Sequence, residues 1–390
     1  MCCDVGQVKR IDVLPDGVLL DIFDIYLNRS KGEGGQRRME AWISLVHVCR
    51  QWRSVVFQSP RRLNLELYCT SKTPAKDNLD IWPAFPLIIC GDMTYKGTDN
   101  IVAALGQSNR VCQANLDFRG SQLEEVLALM QVPFPELTRL DMELMSWPER
   151  VIPDSFLGGS APRLRTFKLN GFAFPGLPTL LLSATHLVRL SLFNIPRSGH
   201  IAPEAMVTAL SALSRLRRLI LHFLSFQCRP DRESRNLPPP RRSILPSLCE
   251  FDFTGDADYL EELVARIDTP QLNKMDISFC DQDDFFDCPR LAQFIDHASA
   301  LRALDNLHVQ VDENTASIEL RSNTYYRIGP YDLRISISCV DYDWKYASIE
   351  EVCNSIFQHL TTVKAPLFDV DDQYSELDSE DDAVDTEGTL

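Results

Sequence analysis

From residue 14 the apolar positions follow a helical period. In LPDGVLLDIFDIYL (14–27), Val18, Leu19, Ile22, Phe23 and Tyr26 form an i, i+1, i+4, i+5, i+8 stripe, and Pro15 suits a first helical turn, where its missing N–H costs nothing. In WISLVHVCRQWRSVVFQSPRRL (42–63), Trp42, Leu45, Val46 and Cys49 recur at i, i+3, i+4, i+7, and a third short helix carries Trp52, Val55, Val56 and Phe57. The pattern therefore predicts an all-helical module over 11–63. A unit of about 50 residues is marginal alone, so a partner or the rest of the chain must cover part of its apolar surface. The link NRSKGEGGQRRME (28–40) is Gly-rich and charged and predicts an exposed loop.

Beyond residue 100 the pattern changes to apolar-x-x-apolar-x-apolar. It recurs as PELTRLDMEL (135–144), PRLRTFKLNG (162–171), THLVRLSLFN (185–194), SRLRRLILHF (214–223), PSLCEFDFTG (246–255) and PQLNKMDISF (270–279), with weaker copies VCQANLDF (111–118) and LDNLHV (304–309). The leading apolar residues are Val111, Leu137, Leu164, Leu187, Leu216, Leu248, Leu272 and Leu304. Their spacing brackets the leucine-rich-repeat period, in which each repeat supplies one strand and one helix. Candidate helices lie between the phrases at 100–107, 122–130, 203–213, 259–267 and 290–298.

The expected fold class is α/β: the small helical module, then an irregular leucine-rich-repeat-like α/β solenoid over 64–365. The match is imperfect, because the Asn or Cys position of regular repeats holds Met145, Phe172, Ile195, Leu224, Asp256 and only once a cysteine, Cys280. The Pro- and Arg-rich run within 228–243 interrupts the array and predicts a surface loop. Strand alternation turns the Leu-x-Leu side chains inward and the intervening ones to the concave side. That makes Asp141, Lys168, Ser191, His222, Asp252 and Asp276, with Glu143, Asn170, Phe193, Ile220, Thr254 and Ser278, the default binding surface.

Charge divides the chain. Its 39 Lys and Arg face 55 Asp and Glu, a net charge of −16, and residues 369–390 contain 10 acids and no base. The segment 366–390 is therefore expected to be a disordered acidic tail, and 1–10 a flexible N-terminus. Neither part offers the basic field that nucleic acid or an anionic membrane surface requires. No window approaches about 18 uninterrupted apolar residues, so no membrane span is expected. Twelve Cys without a CxxC pair, after a start lacking a signal-peptide core, predict reduced thiols and a cytoplasmic or nuclear location.

The spacings that catalysis needs are missing: GxSxG, GxxxxGK(S/T), HExxH, and GxGxxG after a strand. His47, His186 and His222 read as packing or surface residues, and the acidic run FCDQDDFFDC (279–288) lacks the glycine and ligand spacing of a calcium loop. No catalytic, cofactor-binding or metal-binding residue is expected.

The first module resembles the F-box. Leu14, Pro15, Ile22, Phe23, Leu27, Val48, Cys49, Arg50, Trp52 and Arg53 match that family's Leu-Pro, Ile-Phe-x-x-x-Leu and Val-Cys-(basic)-x-Trp-(basic) pattern. Two departures stand out: the long 28–40 link, and Arg61-Arg62-Leu63 where the family often has Trp. The irregular repeats are similar to those of the large fungal families of F-box proteins. The resemblance implies a non-catalytic substrate receptor of a cullin–RING (SCF-type) ubiquitin ligase. Its F-box would dock a Skp-type adaptor, and through it a cullin, while the repeats hold a protein substrate. The adaptor-contact residues it implies are Leu14, Pro15, Ile22, Phe23, Leu27, Val48, Cys49 and Trp52. Some of these must instead hold the helices together, and the motif does not divide them. The alternative is a repeat-type interaction scaffold whose first helices serve as a cap, with no ligase role.

Overall fold

The computed structural model describes residues 14–29, 35–59, 63, 65–80, 84–93, 98–118, 123–144, 149–224, 242–280, 288–304, 306–311, 315–321, 332–338 and 367–370. Three helices come first: α1 (Asp16–Arg29), α2 (Gly35–Val48) and α3 (Arg50–Gln58). The 28–40 link is thus shorter than expected, because α2 already begins at Gly35. Cys49 ends one helix and starts the next: its backbone is extended and its Sγ accepts the Trp52 N–H at 3.4 Å, as an N-cap does. Arg53 Nε donates to Val46 O at 3.0 Å and fixes the corner between α2 and α3.

Strands and helices then alternate: β1 (Leu67–Cys69), α4 (Ala75–Asn78), β2 (Leu87–Met93), α5 (Thr98–Leu105), β3 (Val111–Phe118), α6 (Leu123–Leu129) and β4 (Arg139–Leu144). There follow β5 (Arg150–Val151), β6 (Thr166–Asn170), β7 (Phe172–Ala173), α7 (Leu177–Ser183), β8 (Arg189–Ile195), α8 (Pro203–Ser211) and β9 (Arg218–Phe223). After these come β10 (Ser243–Ile244), β11 (Glu250–Gly255), α9 (Ala257–Val264), β12 (Ile267–Asp268), β13 (Lys274–Cys280), α10 (Pro289–His297) and α11 (Ser299–Arg302). The last elements are β14 (Asn306–Val311), β15 (Thr315–Arg321), β16 (Leu333–Ser338) and β17 (Leu367–Val370).

The result is a mixed α/β fold around one large, mostly parallel sheet. Its order is β1-β2-β3-β4-β6-β8-β9-β11-β13-β16-β15-β14-β17, and the nine strands from β1 to β13 are all parallel and sequential. The Leu-x-Leu positions pair across this ladder: Leu140, Phe167, Leu190, Leu219, Phe251 and Met275 form one buried row. Met142, Leu169, Leu192, Leu221, Phe253 and Ile277 form the next, all packed with the helices in a single core. Burying each such side chain stabilises the fold by roughly 1.5–3 kcal/mol. The backbone entropy of ordering each strand offsets much of that gain.

Several expectations are corrected. The sheet starts within the expected 64–365 span but before the first recognised phrase, with β1 and β2. Their buried runs Leu65, Leu67, Cys69 and Phe85, Leu87, Ile88, Ile89 lack the Leu-x-x-Leu lead. Helix α7, also unanticipated, buries Leu177, Leu180 and Leu181. LDNLHV does not continue the parallel ladder, since β14 runs antiparallel to β15 and is separated from β13 by β16 and β15. Leu367–Val370, assigned to the disordered tail, pairs in parallel with β14 as the edge strand β17. Ser243, the last residue of the expected surface loop, starts β10, which pairs with β12. Residues 228–241 of that loop, the acidic run 281–287 and the tail beyond 370 lie outside the described residues.

The helical module does not stand apart from the sheet. Trp42 of α2 meets Phe85 edge-on at 5.4 Å and Phe57 of α3 at 6.5 Å, so α2 and α3 close over the segment leading into β2 and share its core.

Beyond β8, near the middle of the sheet, His200 follows a short 3-10 turn, Arg197–Gly199. Its ring lies 5.5 Å from Tyr259 and 6.0 Å from Phe223. Burial lowers its pKa from the ordinary 6.5, because an imidazolium there would lose its water. The unfolded chain therefore binds the proton first, and the stability present above about pH 6.5 is lost as pH falls through the folded value. The urea midpoint should drop between pH 7.5 and 5.5 by more in the wild type than in His200→Phe. Equal drops in the two proteins would remove His200 from the account.

Candidate functional site

Two surfaces carry the residues singled out in the sequence, and the first is helix α1. Its inward side buries Leu19, Leu20, Phe23 and Leu27, and Phe23 packs against Trp52 of α3 at 4.8 Å between ring centroids. The opposite side is apolar too: Val18, Ile22, Ile25 and Tyr26, at i, i+4, i+7, i+8, are all exposed, Ile22 by 43% and Ile25 by 56%. The single stripe expected from periodicity is thus two faces. Val48, 58% exposed, lies at the end of α2, and a hydrogen bond from Gln51 to Asp16 at 3.4 Å brings the start of α3 to the start of α1. These large exposed apolar side chains lie together on one small module.

The eight motif residues are now divided. Phe23 and Leu27 are core residues of the module, and half-buried Trp52 and Leu14 pack onto that core. Cys49 is spent on capping α3. Pro15, Ile22 and Val48 face outward. The motif did not mark Val18, Ile25 and Tyr26; the signal for them was the i, i+4, i+7, i+8 spacing itself.

The second surface is the face of the parallel sheet opposite the helices. Register places Asn115, Asp141, Lys168, Ser191, Ile220, Asp252, Asp276 and Arg334 in one continuous row. His222 stands one row along, beside Thr254 and Ser278. Five of the six candidate residues therefore share a line and the sixth adjoins it.

Side chains join these rows. Lys168 Nζ lies 3.4 Å from both Asp141 and Glu143 and 5.8 Å from the Phe193 ring centroid. Burial works against the Lys168 ammonium, but the two carboxylates outweigh it and hold its pKa above the usual lysine value. Phe193 meets the His222 ring edge-on at 5.0 Å, and His222 Nε2 is 2.7 Å from Asp252 Oδ1. Asp141 and Ile220 are buried and cannot present free side chains, a correction to their place on the expected binding surface. Among the described residues the side-chain hydrogen-bond partner of His222 is Asp252.

No protein-family model matches the chain, and no curated protein matches it.

The remaining chemistry is sparse. Among the described residues no group of three or more His, Cys, Asp or Glu is placed to hold a metal ion, and no helix is long and apolar enough to cross a membrane. Burial pushes the thiols of Cys69 and Cys112 up to about 11, which keeps them protonated and poorly nucleophilic at neutral pH.

Proposed function

We propose that the chain is a non-catalytic substrate-recognition subunit of a cullin–RING ubiquitin ligase. Its helical module, read as an F-box, docks a Skp-type adaptor. The strand–helix units beyond it, read as an irregular leucine-rich-repeat-like solenoid, present the open sheet face to a protein substrate. The observation that carries the reading is the exposed apolar face of α1, Val18, Ile22, Ile25 and Tyr26, on a helix whose other side is already buried. Exposed Val48, a motif residue, adds to it. In this role the protein supplies proximity between substrate and the charged ubiquitin carrier and needs no base or nucleophile of its own.

The test is co-expression with a Skp-type adaptor and size-exclusion chromatography, comparing the wild type with Ile22→Asp/Ile25→Asp/Val48→Asp. Each replaced anchor should cost about 2 kcal/mol or more at a tight interface, so the variant should remain folded and lose the adaptor entirely. A well-folded wild type that ignores the adaptor would overturn the reading. The interaction-scaffold alternative would then lead, and it draws on the Trp42–Phe57–Phe85 cluster, by which the helices cap the start of the sheet.

A further inference from the structure

The overall acidity of the chain hides a basic edge. Arg163 and Arg165 lead into β6, Arg189 opens β8, and Arg215, Arg217 and Arg218 lead into or open β9; all six are exposed. Arg189 and Arg218 are direct register partners. One rung earlier, Val188 N–H donates to Arg165 O and Arg217 N–H to Val188 O, so Arg165 and Arg217 flank Val188. With neighbouring strands about 4.8 Å apart, these cations fall within roughly 10 Å of one another. Glu136 pairs with Arg163, and Glu250 with Arg218 at 3.3 Å. Among the described residues Arg165, Arg189, Arg215 and Arg217 have no ion pair. Like charges directly opposite one another on a sheet are destabilising, so a bound anion would relieve this edge.

We propose that the anion is an acidic segment of the same chain, residues 371–390, which contains nine carboxylates and no basic residue. The geometry permits it. Strand β17 ends at Val370 on the sheet's other flank, pointing the same way as the repeat strands, six strand positions from β9. Six steps of about 4.8 Å and one strand length of about 20 Å give a diagonal of roughly 35 Å. Twenty residues span up to about 66 Å when extended, so the carboxylates from Glu380 to Glu387 reach the arginines. Tethering sets their effective concentration on the order of millimolar, ahead of a free competitor. A long polyanion such as nucleic acid fits poorly, because beyond this short edge it meets the negative balance of the rest of the chain.

The test uses the full chain. In Arg189→Lys/Arg217→Lys the charge is kept and an amine is introduced, so a zero-length carbodiimide joins it to any carboxylate in contact. Mass spectrometry of the monomer should find cross-links from these lysines to Glu380–Glu387, lost at about 0.5 M salt, where the Debye length shrinks to a few ångströms. Cross-links only to carboxylates elsewhere in the chain, or none, would overturn the proposal. A second full-length variant replaces all nine carboxylates of 371–390 with their amides. It should bind a fluorescent 371–390 peptide at least about tenfold more tightly than the wild type does, because its own edge is vacant. Equal binding to both proteins would mean that the edge takes acidic segments from outside and that the tail does not occupy it. Neither measurement involves the adaptor, so failure here leaves the receptor reading standing, and loss of that reading leaves this one.

Discussion

Phe23→Ala should destabilise the fold by about 3–4 kcal/mol, while Ile22→Ala, its immediate neighbour in the same motif, should change stability by less than about 0.5 kcal/mol. Phe23 is fully buried and its ring packs on Trp52, so truncation removes an aromatic side chain from the module's core and leaves a cavity beside Trp52. Ile22 points away from that core, and alanine is as good a helix former. On the proposed receptor reading, binding should invert the order of interest: purified Ile22→Ala should be as folded as the wild type yet hold a Skp-type adaptor less tightly. Urea melts followed by circular dichroism, run beside adaptor titrations, separate the two effects. If Ile22→Ala unfolds as readily as Phe23→Ala, the two faces of α1 have been assigned the wrong way round.

The same pair of residues shows what the amino-acid order does and does not reveal. A helix with apolar residues at i, i+1, i+4 and i+5 carries a stripe wide enough to meet two bodies. Periodicity alone leaves open where one ends and the other begins. Only the packing of α3 and of Phe85 against α1 and α2 sets the boundary, and those contacts join positions far apart in the chain. The parallel ladder was legible for the opposite reason. Each phrase repeats its apolar positions at the same offset, so adjacent copies stack in register and the facing row from Asp141 to Asp276 follows from alternation.

The ladder's ends were not legible. β1 and β2 are buried runs without the repeated lead, and β14 to β16 pair antiparallel, an arrangement that a repeat period cannot announce. The basic edge escaped notice because composition sums over the chain. Arginines at 163, 165, 189, 215, 217 and 218 become neighbours only when β6, β8 and β9 stand side by side.

Glu204→Ala should cost about 2–3 kcal/mol, below the 3–5 kcal/mol typical of breaking a fully buried pair, because Glu204 is 46% exposed and partly screened. Its partner Arg266, only 3% exposed, sits between α9 and β12. Arg266 Nη2 donates to Glu204 of α8, with Glu262, one helical turn earlier, 4.0 Å away. Its Nε and Nη1 have no hydrogen-bond partner among the described residues. That hydrogen bond holds the Glu204 carboxyl below its ordinary 4.5 against the opposing effect of burial. The stability it contributes is therefore present above pH 4.5 and is lost as pH falls through the folded value. Removing Glu204 leaves a desolvated guanidinium with one distant carboxylate. Removing both charges does not: Arg266→Met keeps most of the packed volume, so Glu204→Ala/Arg266→Met should be more stable than Glu204→Ala alone. A double-mutant cycle in urea reads the difference directly. Should Arg266→Met alone prove as costly as Glu204→Ala, the guanidinium stabilises this corner of the fold through packing that methionine cannot reproduce, and the charge-desolvation account of Glu204 fails.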